Sequence, residues 1–230
     1  MKYIDKIHIK ENIEGLDDYV KNISALKSFL KGNEIEFDSN ITYFVGENGS
    51  GKSTLIEAIA IAFGMNAEGG GRWHKFETVN TSSNLHEYIK IIKTFNPKDT
   101  FFLRAESFYN AISNLNMDSV DHSFSHGESF FELIENRFWG NGLYIIDEPE
   151  ASLSPQRQLA VLCLLDKLVK NNSQFIIITH SPIMLAFPNA TIYNFSQEGI
   201  KKVSYEDTES YKIYNTFMRD PHRMLEILLK

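Results

Sequence analysis

Apolar positions come in short runs separated by polar loops, and the runs change period along the chain. "ITYFV" (41–45), "LYIID" (143–147) and "QFIIITH" (174–180) are almost continuously apolar and rich in β-branched or aromatic residues. Such runs predict strands buried on both faces, as in a parallel sheet. "KSTLIEAIAIAF" (52–63) predicts a helix buried on most of its surface, and "PQRQLAVLCLLDKLV" (155–169) a second helix between two of these strands. Ser154 is placed to cap that helix, with Pro155 in its first turn. Cys163 lies on its apolar pattern and reads as a buried small hydrophobe.

Residues 1–9 and 34–45 read as strands of an N-terminal sheet, with "GLDDYVKNISALKSFLKGN" between them as a helical or looped excursion. "NAEGGGRWHKFETVNTSSN" (66–84) reads as a surface loop. The pattern of "LHEYIKIIKTF" (85–95) fits helix and strand equally. "TFFLRAE" begins as a strand, "ESFFELIENRF" (128–138) is helical, and "ATIYNFS" with "IKKVSYE" suggests a hairpin. Two C-terminal helices follow, the second starting at Asp220–Pro221. The alternation of strand and helix gives an α/β fold with a mostly parallel core sheet.

The 230 residues fit one large domain or two small ones. One cysteine excludes an intrachain disulfide and a cysteine-cluster metal site. The start "MKYIDKIHIK" lacks the apolar core of a secretory signal, and no apolar run approaches a membrane span, so a cytoplasmic protein is expected. A net charge of −7 argues against a basic nucleic-acid module, although one local basic face remains compatible with it.

Candidate chemistry concentrates at three strand ends. Gly46 to Ser53 fits G-x-x-x-x-G-K-[ST] between a strand and a helix. Gly46, Gly49 and Gly51 let the backbone N–H groups of Glu47, Asn48, Ser50 and Thr54 turn around a phosphate at a helix N-terminus. Lys52 would reach the β- and γ-phosphates of a nucleotide, and Ser53 would offer its hydroxyl to Mg²⁺. At the end of "LYIID", Asp147 would hold Mg²⁺ and Glu148 would act as general base on water. His180, at the end of "QFIIITH", would reach the γ-phosphate from the same sheet edge. Ser125 and Glu128 in "FSHGES" form a capping box, and a helix start carrying Ser125 and Gly127 is also a phosphate-binding device.

Taken in order, "GENGSGKST", "FFLRAESF", "SHGESF", "DEPEASLSPQRQ" and "THSPI" resemble the motifs of the ATP-binding cassette (ABC) ATPases. The likeness is to compact bacterial ATPases related to the heads of SMC and RecF-like proteins, and it extends over about residues 1–225. It implies a single ABC-type P-loop domain over 1–230, with an N-terminal antiparallel sheet and a small helical signature subdomain inserted at roughly 107–140. It also implies ATP and Mg²⁺ as ligands and an ATP-dependent homodimer, in which Ser125 and Gly127 of one subunit meet the nucleotide of the other. "ASLS" (151–154) takes the D-loop position. Glu106 stands where the family has a glutamine, as a further candidate metal ligand. Carboxylates at Glu106 and Glu128 predict hydrolysis that is slow or stimulated by a partner, DNA or protein. Between Glu106 and Ser125 there is room for one helix and no coiled-coil arm. A transporter's nucleotide-binding subunit and a P-loop kinase are the alternative readings. A kinase would not need Ser125 and Gly127 or a strand ending in histidine, and no N-K-x-D motif supports a GTPase.

Overall fold

A computed structural model describes residues 1–66, 69–70, 83–104 and 126–230, without the side chains of 126–130 and 152. Two sheets carry the fold. The first joins β1 (Ile4–Ile9), β2 (Ile35–Glu36) and β4 (Ile89–Lys93) in the order β2-β1-β4, antiparallel throughout. The second contains β3 (Ile41–Gly46), β5 (Asp99–Arg104), β6 (Gly142–Asp147), β7 (Gln174–Ile178), β8 (Thr191–Ser196) and β9 (Gly199–Val203). Its order is β5-β6-β7-β3-β8-β9, parallel except for the β8–β9 hairpin.

The strand expected over 34–45 is divided between these sheets. Ile35–Glu36 pairs with β1, whereas Ile41–Gly46 lies at the centre of the parallel sheet. Asp38, Ser39 and Asn40 carry the crossing, and the Ser39 hydroxyl donates to Ile41 O and accepts from Thr191 N. The excursion before it holds two short helices, α1 (Asp18–Asn22) and α2 (Leu26–Leu30). Residues 85–95 hold one helical turn, α3 (Leu85–Tyr88), running directly into β4.

The remaining helices are the P-loop helix α4 (Lys52–Phe63), α5 (His126–Arg137), α6 (Pro155–Lys170), α7 (Pro182–Leu185), α8 (Glu209–Arg219) and α9 (Pro221–Leu228). Ser154 caps α6 by accepting from Arg157 N, with Pro155 in the first turn. Asp220 caps α9 by accepting from Arg223 N.

Alternate side chains of the central strands enter two cores. Phe44, Ile145, Ile176 and Ile178 pack with Leu55, Ile56 and Ile59 of α4 and with the antiparallel sheet. Tyr43, Val45, Ile146 and Ile177 pack with Val161, Leu164, Leu165 and Leu168 of α6 on the other face. That face of α6 follows helical spacing. Cys163 falls about 200° from Val161 and is exposed, against the expectation that it is buried.

A buried glutamine joins the two sheets. Gln174 Oε1 accepts from Tyr3 N (2.7 Å) and Ile4 N (2.9 Å), and its Nε2 donates to Ile4 O (2.9 Å). The amide is thereby satisfied at no exposure to water, and β1 is fixed against the first residue of β7. Arg137, at the end of α5, donates to Asp99 Oδ2, which also accepts from Tyr144 Oη. Phe138 stacks on the Tyr144 ring at 4.1 Å between centroids. These contacts anchor α5 to the start of the sheet. The expected helical subdomain at 107–140 lies outside the described residues up to 125.

Candidate functional site

Parallel register brings the strand ends to one edge. Arg104 pairs with Asp147, and Asp147 pairs with Ile178, which also pairs with Phe44 two residues before Gly46. The P-loop, Asp147, Glu148 and the Thr179–His180 segment therefore leave the sheet side by side. Ligands of open α/β sheets bind at this carboxyl edge.

Gly46 ends β3 with φ 137°, and a Cβ there would stand 2.3 Å from Phe195 O. Glu47, Asn48 and Gly49 are exposed, and Ser50 N donates to Glu47 O to close the loop. Gly51 caps α4 in the left-handed region at φ 94° and packs under Ile23 and Leu26. Lys52 begins the helix and is 4% exposed. Its Nζ donates to Gly46 O (2.7 Å) and Glu47 O (2.8 Å). Burial pulls its pKa below the usual lysine range, while the Glu148 and Asp147 charges push it back up. Ser53 is exposed at the next position, followed by half-buried Thr54.

The Ser53 hydroxyl lies beside Asp147 and pulls its carboxyl pKa down. Its Oδ1 is buried without a hydrogen-bond partner among the described residues. Burial, then repulsion from Glu148, pushes its carboxyl up to about 6, against the opposing pull of Ser53, Arg104 and Lys52. An orphaned carboxylate oxygen beside a serine hydroxyl fits a divalent cation. No group of three His, Cys, Asp or Glu that could hold a metal forms among the described residues. Mg²⁺ takes one or two protein ligands and completes its shell with water and phosphate, so a single carboxylate with a serine hydroxyl fits it.

Glu148 sits in the left-handed region, at φ 48° and ψ 57°, a conformation that costs a non-glycine residue about 1 kcal/mol or more. Its N–H donates to Ile178 O at 3.0 Å, which holds the turn against β7. Glu148 Oε1 stands 3.5 Å from His180 Nε2, too far for the imidazole to be hydrogen-bonded there. Arg104 pairs with Glu57 of α4 at 3.0 Å, linking the end of β5 to the P-loop helix. Gly127 is the second residue of α5, while Ser125 and Glu106 lie outside the described residues.

Sequence reasoning found no wall for the rest of a nucleotide. A cavity of about 1040 Å³ adjoins Gly46–Ser50. Tyr19, Asn22 and Ser24 line one side, and Asn194, Ser196 and Gln197 the other. The α1–α2 excursion and the β8–β9 turn come together here only in three dimensions. Glu150 was missed as well. Its side chain accepts from the backbone N–H of His180 at 2.5 Å across 30 residues, a contact that no local pattern signals.

Residues 22–216 match the model of a protein family described as an AAA domain. A chromosome partition protein Smc from Lactiplantibacillus plantarum is 36% identical over 83 residues, covering 34% of this chain and 7% of that protein. The chain thus spans only a small part of that relative. Among solved structures, cbiO1 from Clostridium perfringens, part of the ABC transporter complex cbiONQ, is similar over 100% of both chains with a TM-score of 0.51 and 16% identity. The SMC head domain from Thermotoga maritima is similar over 88% of this chain and 98% of its own, with a TM-score of 0.49 and 18% identity.

Proposed function

The chain belongs to the AAA-domain family, with the fold of ABC-type P-loop ATPase heads, and we propose that it binds and hydrolyses ATP as an ATP-gated dimerising switch. The observation that supports this reading is the gathering of Lys52, Ser53, Asp147, Glu148 and His180 at the carboxyl edge of one parallel sheet.

The loop from Gly46 to Thr54 would bind the phosphates through its N–H groups and the N-terminus of α4. Lys52 would exchange the carbonyls of Gly46 and Glu47 for phosphate oxygens, a better partner for a buried ammonium. The nucleoside would extend into the adjoining cavity, where Tyr19 is the exposed aromatic on the wall. Ser53 and Asp147, with Glu106 as a further candidate, would hold Mg²⁺, which would neutralise charge on the β- and γ-phosphate oxygens. Glu148 would take a proton from the attacking water. His180 would donate a hydrogen bond to the γ-phosphate, 3.5 Å from that carboxylate. Ser125 and Gly127 of a second copy would close over the γ-phosphate at the start of α5.

The Smc relative supports a DNA-related role, in maintenance or defence; a transporter's nucleotide-binding subunit, to which the likeness to cbiO1 is equally suited, and a P-loop kinase are the alternative readings. No helix among the described residues is long and apolar enough to cross a membrane. Phosphate release from Mg-ATP tests the reading. Wild type should turn over, and Glu148→Gln should fall by about 10²-fold or more while still binding ATP. Equal turnover by the two proteins would refute it.

A further inference from the structure

Glu150 is a carboxylate that the chemistry above does not use. It follows Pro149 in a 3-10 turn, Pro149–Ser152, that leaves the sheet after Glu148. The turn is closed by Ala151 N donating to Glu148 O and Leu153 N donating to Glu150 O. The Glu150 side chain points back to the sheet edge. Its Oε1 accepts the His180 N–H at 2.5 Å. Its Oε2 is buried without a hydrogen-bond partner among the described residues, as is Tyr43 Oη on the strand leading into the P-loop. Glu150 is half-buried, and the His180 N–H is a charge-assisted partner for its carboxylate.

The two loops are thus tied twice. Glu148 N–H bonds to Ile178 O, just before the Thr179–His180 segment, and His180 N–H bonds to Glu150, just after Glu148. Ser181, the next residue, is fixed in turn. Its Oγ donates to the Oε1 of buried Gln158, and its N–H donates to Thr179 Oγ1. With the backbone held on both sides, the imidazole has only its own side-chain torsions with which to move against Glu148.

We propose that Glu150 is a positioning residue that fixes the His180 backbone to the turn after Glu148 and so sets the stand-off between imidazole and general base. This rests on the reading of Glu148 and His180 given above. Through this tie, any movement of the D-loop turn on dimer closure is passed to His180.

The test separates the tie from the chemistry. Amide hydrogen exchange at His180 is measured by NMR in the nucleotide-free protein, and steady-state ATP hydrolysis is measured separately. Glu150→Leu removes the acceptor. It should speed exchange at His180 by about tenfold or more, with neighbouring core amides unchanged. It should lower kcat by about tenfold with KM within twofold. Glu150→Gln keeps a carbonyl acceptor and should restore both the protection and kcat to within about threefold. If Glu150→Leu does not fold, Glu150→Asp takes its place, because the shorter side chain withdraws the acceptor and should give the same faster exchange. Unchanged His180 exchange in the Leu or Asp variant overturns the proposal, as does an equal loss of kcat in Glu150→Gln. A wild type without ATPase activity would refute the functional reading instead, and the exchange measurement would still decide whether the tie exists.

Discussion

Glu148 Oε1 and His180 Nε2 face each other across 3.5 Å at the ends of neighbouring strands, with neither group fully buried. A water or a γ-phosphate oxygen entering beside this pair would meet an acceptor on one side and an imidazole on the other. His180→Ala should therefore lower kcat by about 10- to 100-fold and leave ATP affinity within twofold, because the proposed contact would act on the transition state. A large loss of affinity with normal turnover at saturation would place His180 outside the reaction.

Lys52 is folded back onto the carbonyls of Gly46 and Glu47. Lys52→Ala removes the cation that would replace those contacts with phosphate contacts. ATP binding, read by calorimetry, should weaken by about tenfold or more. Unchanged affinity would end the P-loop assignment.

Asp147 titrates near 6, well above its usual 3.8, chiefly because it is buried. Its folded form holds a proton more tightly than the unfolded chain does. The stability this gives is present below about pH 4 and is lost as pH rises through 6. Without ligand, Asp147→Asn should then stabilise the protein at pH 7.5 by about 1–3 kcal/mol and leave it nearly unchanged at pH 4. On the proposed reading Mg²⁺ would bind the ionised carboxylate, so half-saturating Mg²⁺ in wild type should rise about fourfold from pH 7.5 to 5.5. Melting curves and Mg²⁺ titrations across this range check both signs.

Gln174 makes three buried hydrogen bonds to the backbone of Tyr3 and Ile4. Gln174→Leu leaves those backbone groups unpaired and should cost about 2–4 kcal/mol in denaturant melts. A loss below about 0.5 kcal/mol would mean that the two sheets are held by apolar packing alone.

The core strands were legible because residues buried on both faces leave continuous apolar runs, and β3, β6 and β7 appear where such runs occur. The loop at 46–54 was legible because close backbone approach leaves glycine at fixed spacing. What the chain concealed depends on distant partners. Residues 34–45 split between two sheets because the Ser39 turn is fixed by Thr191, more than 150 residues away. Cys163 shares an apolar string with Leu164 and Leu165, but helical rotation carries it to the solvent side. Gln174 reads as a polar strand start, and its role appears only once β1 is beside it. Glu150 reads as one more acid in an acidic turn until its bond to His180 is seen. The assignments of Glu106 and Ser125 rest on sequence alone, since neither belongs to the described residues.

The ATP-gated switch is tested most directly by light scattering after size exclusion of Glu148→Gln. This variant keeps the shape of the side chain and removes the base, so bound ATP should persist and hold two heads together. The account predicts a stable dimer in Mg-ATP and a monomer in Mg-ADP. Adding Ser125→Arg should return the protein to a monomer that still binds ATP through its own Lys52. A Glu148→Gln protein that stays monomeric in saturating Mg-ATP would contradict the account, as would a double variant that dimerises as well as the single one.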